Sequence, residues 1–203
     1  MKREKMPPAT STFAPFRLTI CGIAELDEHC AAGVTHVLSI LDPDWPDPPA
    51  FAAFPPHHRL ALRFNDIIDP RPDQLAPASA DVARLLAFGR EPDLTAGSHL
   101  LIHCHAGVSR STAAAALILA QARPDRAARE ALAAVAQLRP RAWPNLRILE
   151  FGDALLGRNG ELVAAVAAIY RRFLEREPTF EEAMIDAGRS REVIAALSPG
   201  REK

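Results

Sequence analysis

Nine consecutive residues, His103-Cys104-His105-Ala106-Gly107-Val108-Ser109-Arg110-Ser111, place a thiol and a guanidinium six positions apart, with a hydroxyl directly after the guanidinium. Five residues between Cys104 and Arg110 suffice to wrap one tetrahedral oxyanion. In such a loop the backbone N–H groups of His105, Ala106, Gly107, Val108, Ser109 and Arg110 turn inward. A helix N-terminus behind them adds positive partial charge, and Arg110 bonds two oxygens of the anion at once. The same field favours a thiolate at Cys104. The chemistry on offer is a cysteine nucleophile aimed at a bound oxyanion.

That geometry needs a strand before the loop and a helix after it. Leu100-Leu101-Ile102 reads as a buried strand, and the alanine-rich run to Ala122 as a buried helix. Further strands are predicted at Phe16–Cys21, Thr35–Leu41 and Arg59–Phe64, with short helices at Ala24–Ala32, closed by Gly33, and Ala78–Gly89. After Arg110 the pattern is helical throughout. Pro124-Asp125 is read as opening one helix and Pro144 as the first turn of another. Glu161–Leu174 has helical spacing, and Thr179-Phe180-Glu181-Glu182 fits a capping box. Strands alternating with helices, followed by helices only, predict an α/β fold. Its centre is a mostly parallel sheet of four to five strands flanked by helices, and its C-terminal part is all helical. The expected division is a flexible arm at 1–15, an α/β domain at 16–157 and a helical extension at 158–203 packed on it. The site is expected at the carboxyl ends of the strands.

Composition narrows the function. The chain has 203 residues, 48% of them hydrophobic, with a net charge of −1, which gives an ordinary core and no basic bias toward nucleic acid or anionic membrane. The apolar run Ala113–Ala120 is too short to span a bilayer. The charged Met1-Lys2-Arg3-Glu4-Lys5 leads into Pro7-Pro8 rather than a signal core, so a cytoplasmic protein is expected. Three cysteines, Cys21, Cys30 and Cys104, form no disulfide framework. His103, Cys104 and His105 do not suit a metal, because neighbours on a strand end point alternately and no second ligand pair stands at matching spacing. No metal and no cofactor is expected.

The His-Cys-x5-Arg-Ser run resembles the signature of the cysteine-dependent protein tyrosine phosphatase superfamily, in particular its small dual-specificity-like, bacterial-type branch. The resemblance is sharp over 99–112 and extends by order of elements over about 16–156. It implies hydrolysis of phosphomonoesters through a phosphocysteine intermediate. The substrates would be phosphotyrosine, with phosphoserine or phosphothreonine, on a protein or a small molecule, and phosphate or sulfate would bind the loop. In that scheme Cys104 attacks phosphorus, Arg110 and the loop amides stabilise the transition state, and Ser111 donates to the departing thiolate. His103 orders the loop behind the nucleophile, and His105 lies at the rim. Asn145, in Arg139-Pro140-x-x-x-Pro144-Asn145, would brace the loop.

A general acid is also required. Trp45-Pro46-Asp47 spells the acid-loop motif of large tyrosine phosphatases, but it lies 57 residues before Cys104 and is read as a lookalike. Asp66, ending the third strand 38 residues before Cys104, matches the small-phosphatase layout and is favoured. Asp69 is the alternative acid. A catalytically weak phosphate-binding module remains an alternative function, as does, further off, a rhodanese-like or arsenate-reductase-like cysteine enzyme.

Overall fold

A computed structural model describes residues 13–91 and 93–198. Four strands form one parallel sheet: β1 Arg17–Gly22, β2 His36–Leu41, β3 His58–Arg63 and β4 His99–Cys104, in the order β1-β4-β2-β3. Each begins or ends within a residue of the run that alternation and β-branching mark out. β4 is central and buried along its whole length, as a near-continuous apolar run in a parallel sheet should be. Its last residue, Cys104, lies opposite Gly22 of β1, and His103 lies opposite Ser39 of β2.

Alternate side chains face opposite layers. Leu18, Ile20, Leu38, Ile40, Leu100 and Ile102 join the main core with the helices. Cys21, Val37 and Leu101 face a thinner layer made with Leu26 and Phe54, covered by two 3₁₀ segments, Ile23–His29 and Pro49–Ala53. The helix predicted at Ala24–Ala32 is therefore a tighter, shorter 3₁₀ turn.

The main layer holds α1 Ser79–Phe88, α2 Arg110–Ala122, α3 Ala128–Leu138, α4 Leu146–Leu155, α5 Glu161–Arg176, α6 Phe180–Asp186 and α7 Ser190–Leu197. α2 is buried from Arg110 to Ala120. Its alanines have no side chain to push neighbours away, so α1, α3 and α4 pack around it. α5 packs on α3 and α4, and its Leu162, Val166, Tyr170 and Phe173 belong to the same core as the sheet. At about 1.5–3 kcal/mol for each large apolar side chain fully buried, these four anchor the C-terminal helices firmly.

Three local readings change. α3 starts at Ala128, not at Pro124-Asp125, because Asp125 pairs with Arg123 and Glu130 caps the Ala127 N–H instead. Pro144 precedes α4 rather than entering its first turn, since the Asn145 side chain caps that helix through the Ile148 N–H. Thr179 stands at the start of α6, but its side chain makes no capping bond. Of the expected arm, residues 1–12 lie outside the described residues, while Phe13 is buried in the main core. Among the described residues no helix is long and apolar enough to cross a membrane.

Candidate active site

The loop from His105 to Ser109 has every carbonyl bonded to the scaffold outside it. His105 O accepts from Ile23 N at 2.9 Å, and Val108 O accepts from Trp143 N at 2.9 Å. Ser109 O accepts from Ala113 N at 3.0 Å and from Asn145 N at 3.3 Å. The remaining two carbonyls belong to Arg139, whose Nε reaches Gly107 O at 3.0 Å and whose second nitrogen reaches Ala106 O at 3.1 Å. A trans peptide puts its N–H opposite its C=O. Fixing the carbonyls outward therefore turns the following amides toward the centre, forming an anion cradle. Arg139 is itself fixed by a two-pronged contact to Glu25, at 2.8 and 2.7 Å, and Glu25 also accepts from Gly22 N at 2.5 Å. Gly107 makes the turn at φ +68°, and a Cβ there would lie 2.4 Å from the Cys21 backbone.

Cys104 sits at the floor, 2% exposed, with its sulfur 3.2 Å from Ser111 Oγ. Ser111 lies in the first turn of α2, so its hydroxyl serves the sulfur rather than capping the helix. Arg110 is buried. One terminal nitrogen donates to Asp42 Oδ1 and to Phe64 O, both at 2.6 Å, while its Nε has no hydrogen-bond partner. An unpaired buried donor on a cation is costly, and an anion in the cradle would satisfy it.

His103 Nε2 meets Ser39 Oγ at 2.7 Å, and Ser39 accepts from Arg59 Nε at 3.0 Å. Burial, aided by the Arg59 charge, pushes the His103 ring down to about 4, so it is neutral and serves to hold the strand end. His105 accepts from the Asp42 N–H at 3.2 Å and packs edge-on against Trp45, with ring centroids 4.4 Å apart. Burial pushes the neighbouring Cys21 thiol up to about 12, which makes it a poor nucleophile.

Of the candidate acids, Asp66 shares a cavity of about 310 Å³ with Cys104 and Arg110. Asp69 pairs with Arg191 at 3.1 Å on the surface, and Asp47 is held by Arg59 and Arg63. Neither lines that cavity. Asp66 Oδ1 accepts from Ser109 Oγ at 2.7 Å, Asn145 Nδ2 at 2.9 Å and Arg189 at 3.3 Å. Burial opposes its ionisation, but the Arg189 and Arg110 charges and these bonds outweigh it and hold the carboxyl below its ordinary value. All three of these donors take Oδ1 and none of them takes Oδ2.

Arg189, which the sequence reading did not single out, is 6% exposed at the turn between α6 and α7. It also donates to Ser109 Oγ at 3.0 Å and grips Glu192 at 2.7 and 2.8 Å. Glu192 is fully buried and takes further bonds from Trp143 Nε1 at 2.5 Å and Leu146 N at 2.9 Å. The C-terminal helices thus contribute charge to the site, and Phe173, Phe180 and Met184 wall the cavity on one side. Asn145, expected to brace the loop, donates its N–H to Ser109 O at 3.3 Å and its Nδ2 to Asp66 Oδ1 at 2.9 Å. Arg139 and Asp42 share its bracing work.

No protein-family model and no curated protein sequence matches the chain. Solved structures do match. Human DUSP28 is similar with a TM-score of 0.53 and 20% identity, over 74% of this chain and 96% of that one. Tk-PTP in its active form gives 0.51 and 25%, over 75% and 99%. A mouse putative dual specificity phosphatase gives 0.50 and 22%, over 83% and 96%.

Proposed function

We propose that this chain, which has the fold of the cysteine-dependent protein tyrosine phosphatases, hydrolyses phosphomonoesters through a phosphocysteine intermediate. The observation that carries this reading is the cradle: five consecutive carbonyls of the loop after Cys104 tied outward, with Arg110, whose Nε has no partner, lining the same cavity as Cys104. In the first step the Cys104 thiolate attacks phosphorus in line, the P–O bond to the leaving group breaks, and Asp66 delivers a proton to the departing oxygen. In the second, Asp66 as carboxylate takes a proton from water, which attacks phosphorus and releases the thiolate. Ser111 stabilises that thiolate by a hydrogen bond.

Asp66 must be protonated for the first step, although its neighbours favour the carboxylate. A bound phosphoryl dianion supplies the compensation, because its negative charge offsets Arg110 and Arg189 and raises the Asp66 carboxyl. An aryl phosphate, phosphotyrosine above all, suits the apolar wall of Phe173, Phe180 and Met184. Release of phosphate from a generic aryl phosphate tests the reading. Cys104→Ser should reduce it to background, and a serine variant with near-normal turnover would sink it.

The Arg189–Asp66 pair is also what favours the rival reading, a phosphate-binding module whose carboxylate never gains a proton. Removing Arg189 discriminates. Loss of a positive charge next to Asp66 disfavours its ionised form, so the acid stays protonated to higher pH. In Arg189→Met the basic-side fall of kcat should therefore move to higher pH. A double Arg189→Met/Glu192→Gln variant guards against the buried Glu192 being left without its cation. A basic limb that stays in place, with folding intact, would show that Arg189 does not tune the acid.

A further inference from the structure

At the opposite end of the sheet from the cradle, where β2 and β3 begin, four side chains converge that the phosphatase chemistry does not use. His36 is 2% exposed. Its Nε2 lies 3.3 Å from Asp93 Oδ1 and 3.9 Å from Glu91 Oε2, yet makes no hydrogen bond. The place of the proton on the ring explains why this matters. Thr35 Oγ1 accepts from His99 N at 3.0 Å and lies 3.3 Å from His99 O. The same hydroxyl stands 2.8 Å from His36 Nδ1, and which of the two donates depends on the ring's tautomer. In the tautomer with the proton on Nδ1, the lone pair of Nε2 faces the two carboxylates. In that tautomer three electron-pair donors face one another, and a cation between them relieves the repulsion.

We propose that His36, Glu91 and Asp93 bind one divalent first-row transition ion, with a zinc-like preference, and that His58 is their outer partner. The ligand atoms of the three lie within 4.8 Å of one another. In a tetrahedral site with bonds of about 2.0–2.1 Å, ligand atoms stand about 3.3 Å apart, close to the His36–Asp93 spacing. One imidazole and two carboxylates suit zinc and its neighbours better than calcium or magnesium, which favour oxygen alone. Thr35 supplies the hydrogen bond that a metal-bound histidine makes through its other nitrogen. His58 stacks on His36, with centroids 5.2 Å apart, and its Nε2 lies 3.2 Å from Asp93 Oδ2, which leaves Oδ1 for the ion. The ion would staple the start of β2 to the connection between α1 and β4.

The test is calorimetric titration with Zn²⁺ alone of chelator-treated Cys104→Ser protein, in which the active-site thiol cannot take the metal. Parallel titrations add Asp93→Asn or Glu91→Gln, two surface carboxylates whose loss spares the core. One ion per chain should bind and raise Tm, and each added substitution should weaken binding by about 10- to 100-fold or more. Absence of binding, or binding that survives either substitution within a few-fold, would overturn the proposal and leave His36 paired directly with Asp93.

Discussion

Arg110→Lys is expected to lower kcat by about 10³-fold or more, the scale on which a transition-state arginine acts in phosphoryl transfer, although the charge is kept. Arg110 does two jobs at once. One terminal nitrogen is engaged by Asp42 Oδ1 and Phe64 O, both at 2.6 Å, which fixes the plane of the guanidinium. Its Nε is buried and without a partner, the donor that an anion in the cavity it shares with Cys104 would satisfy. A lysine ammonium is a compact point charge and cannot hold the Asp42 clamp while offering a second donor in a set direction. The contact tightens as charge spreads over the equatorial oxygens, so the loss should fall on kcat more than on KM. Steady-state kinetics with an aryl phosphate measure the split. A lysine variant with normal kcat and only a raised KM would remove Arg110 from the transition state.

Asp66→Asn should lower turnover by about 10²–10⁴-fold, the usual worth of a positioned general acid. The amide can still accept at Oδ1 from Ser109, Asn145 and Arg189, so the cavity should keep its shape. What it lacks is a proton to give. In kcat/KM, which reports the first step, the deficit should therefore be large for poor leaving groups and shrink for acidic phenols, which depart unprotonated. Asp69→Asn and Asp47→Asn should retain the wild-type pattern, since their carboxylates are spent on Arg191 and on Arg59 and Arg63. A flat leaving-group dependence in wild type and Asp66→Asn alike would favour the phosphate-binding module.

What the sequence disclosed was local. The strand, loop and helix that carry Cys104, Arg110 and Ser111 are contiguous, so types and spacing alone brought the thiol, the guanidinium and the hydroxyl together. Asp66 stands out in the sequence because it follows closely on a strand whose alternation is clear; that strand, β3, ends at Arg63. The motif-like Asp47 is a lookalike by its separation from Cys104, and its carboxylate is paired with Arg59 and Arg63 of β3. Arg189 was not legible. It reaches Asp66 across 123 positions from a turn marked only by Gly188, at φ +75°, and such Gly-Arg turns end many helices. Periodicity shows which face of α5 or α7 is buried, but not which turn residue crosses to another element. The same holds for Arg139, whose role depends on carbonyl directions that only the folded loop defines. His36, Glu91 and Asp93 meet only because β2 and the segment before β4 are neighbours in the sheet.

The central claim is that phosphorus passes through sulfur, and the covalent adduct tests it most directly. Asp66→Asn protein mixed with a phosphorylated acidic phenol should form the adduct normally and hydrolyse it slowly, because the base for the second step is missing. Quenching within one turnover and mapping the peptides should place a phosphoryl group on Cys104, in amounts matching a burst of released phenol, and Cys104→Ser should show neither. Phenol release without a burst, and with no phosphate on Cys104 at any quench time, would contradict the account.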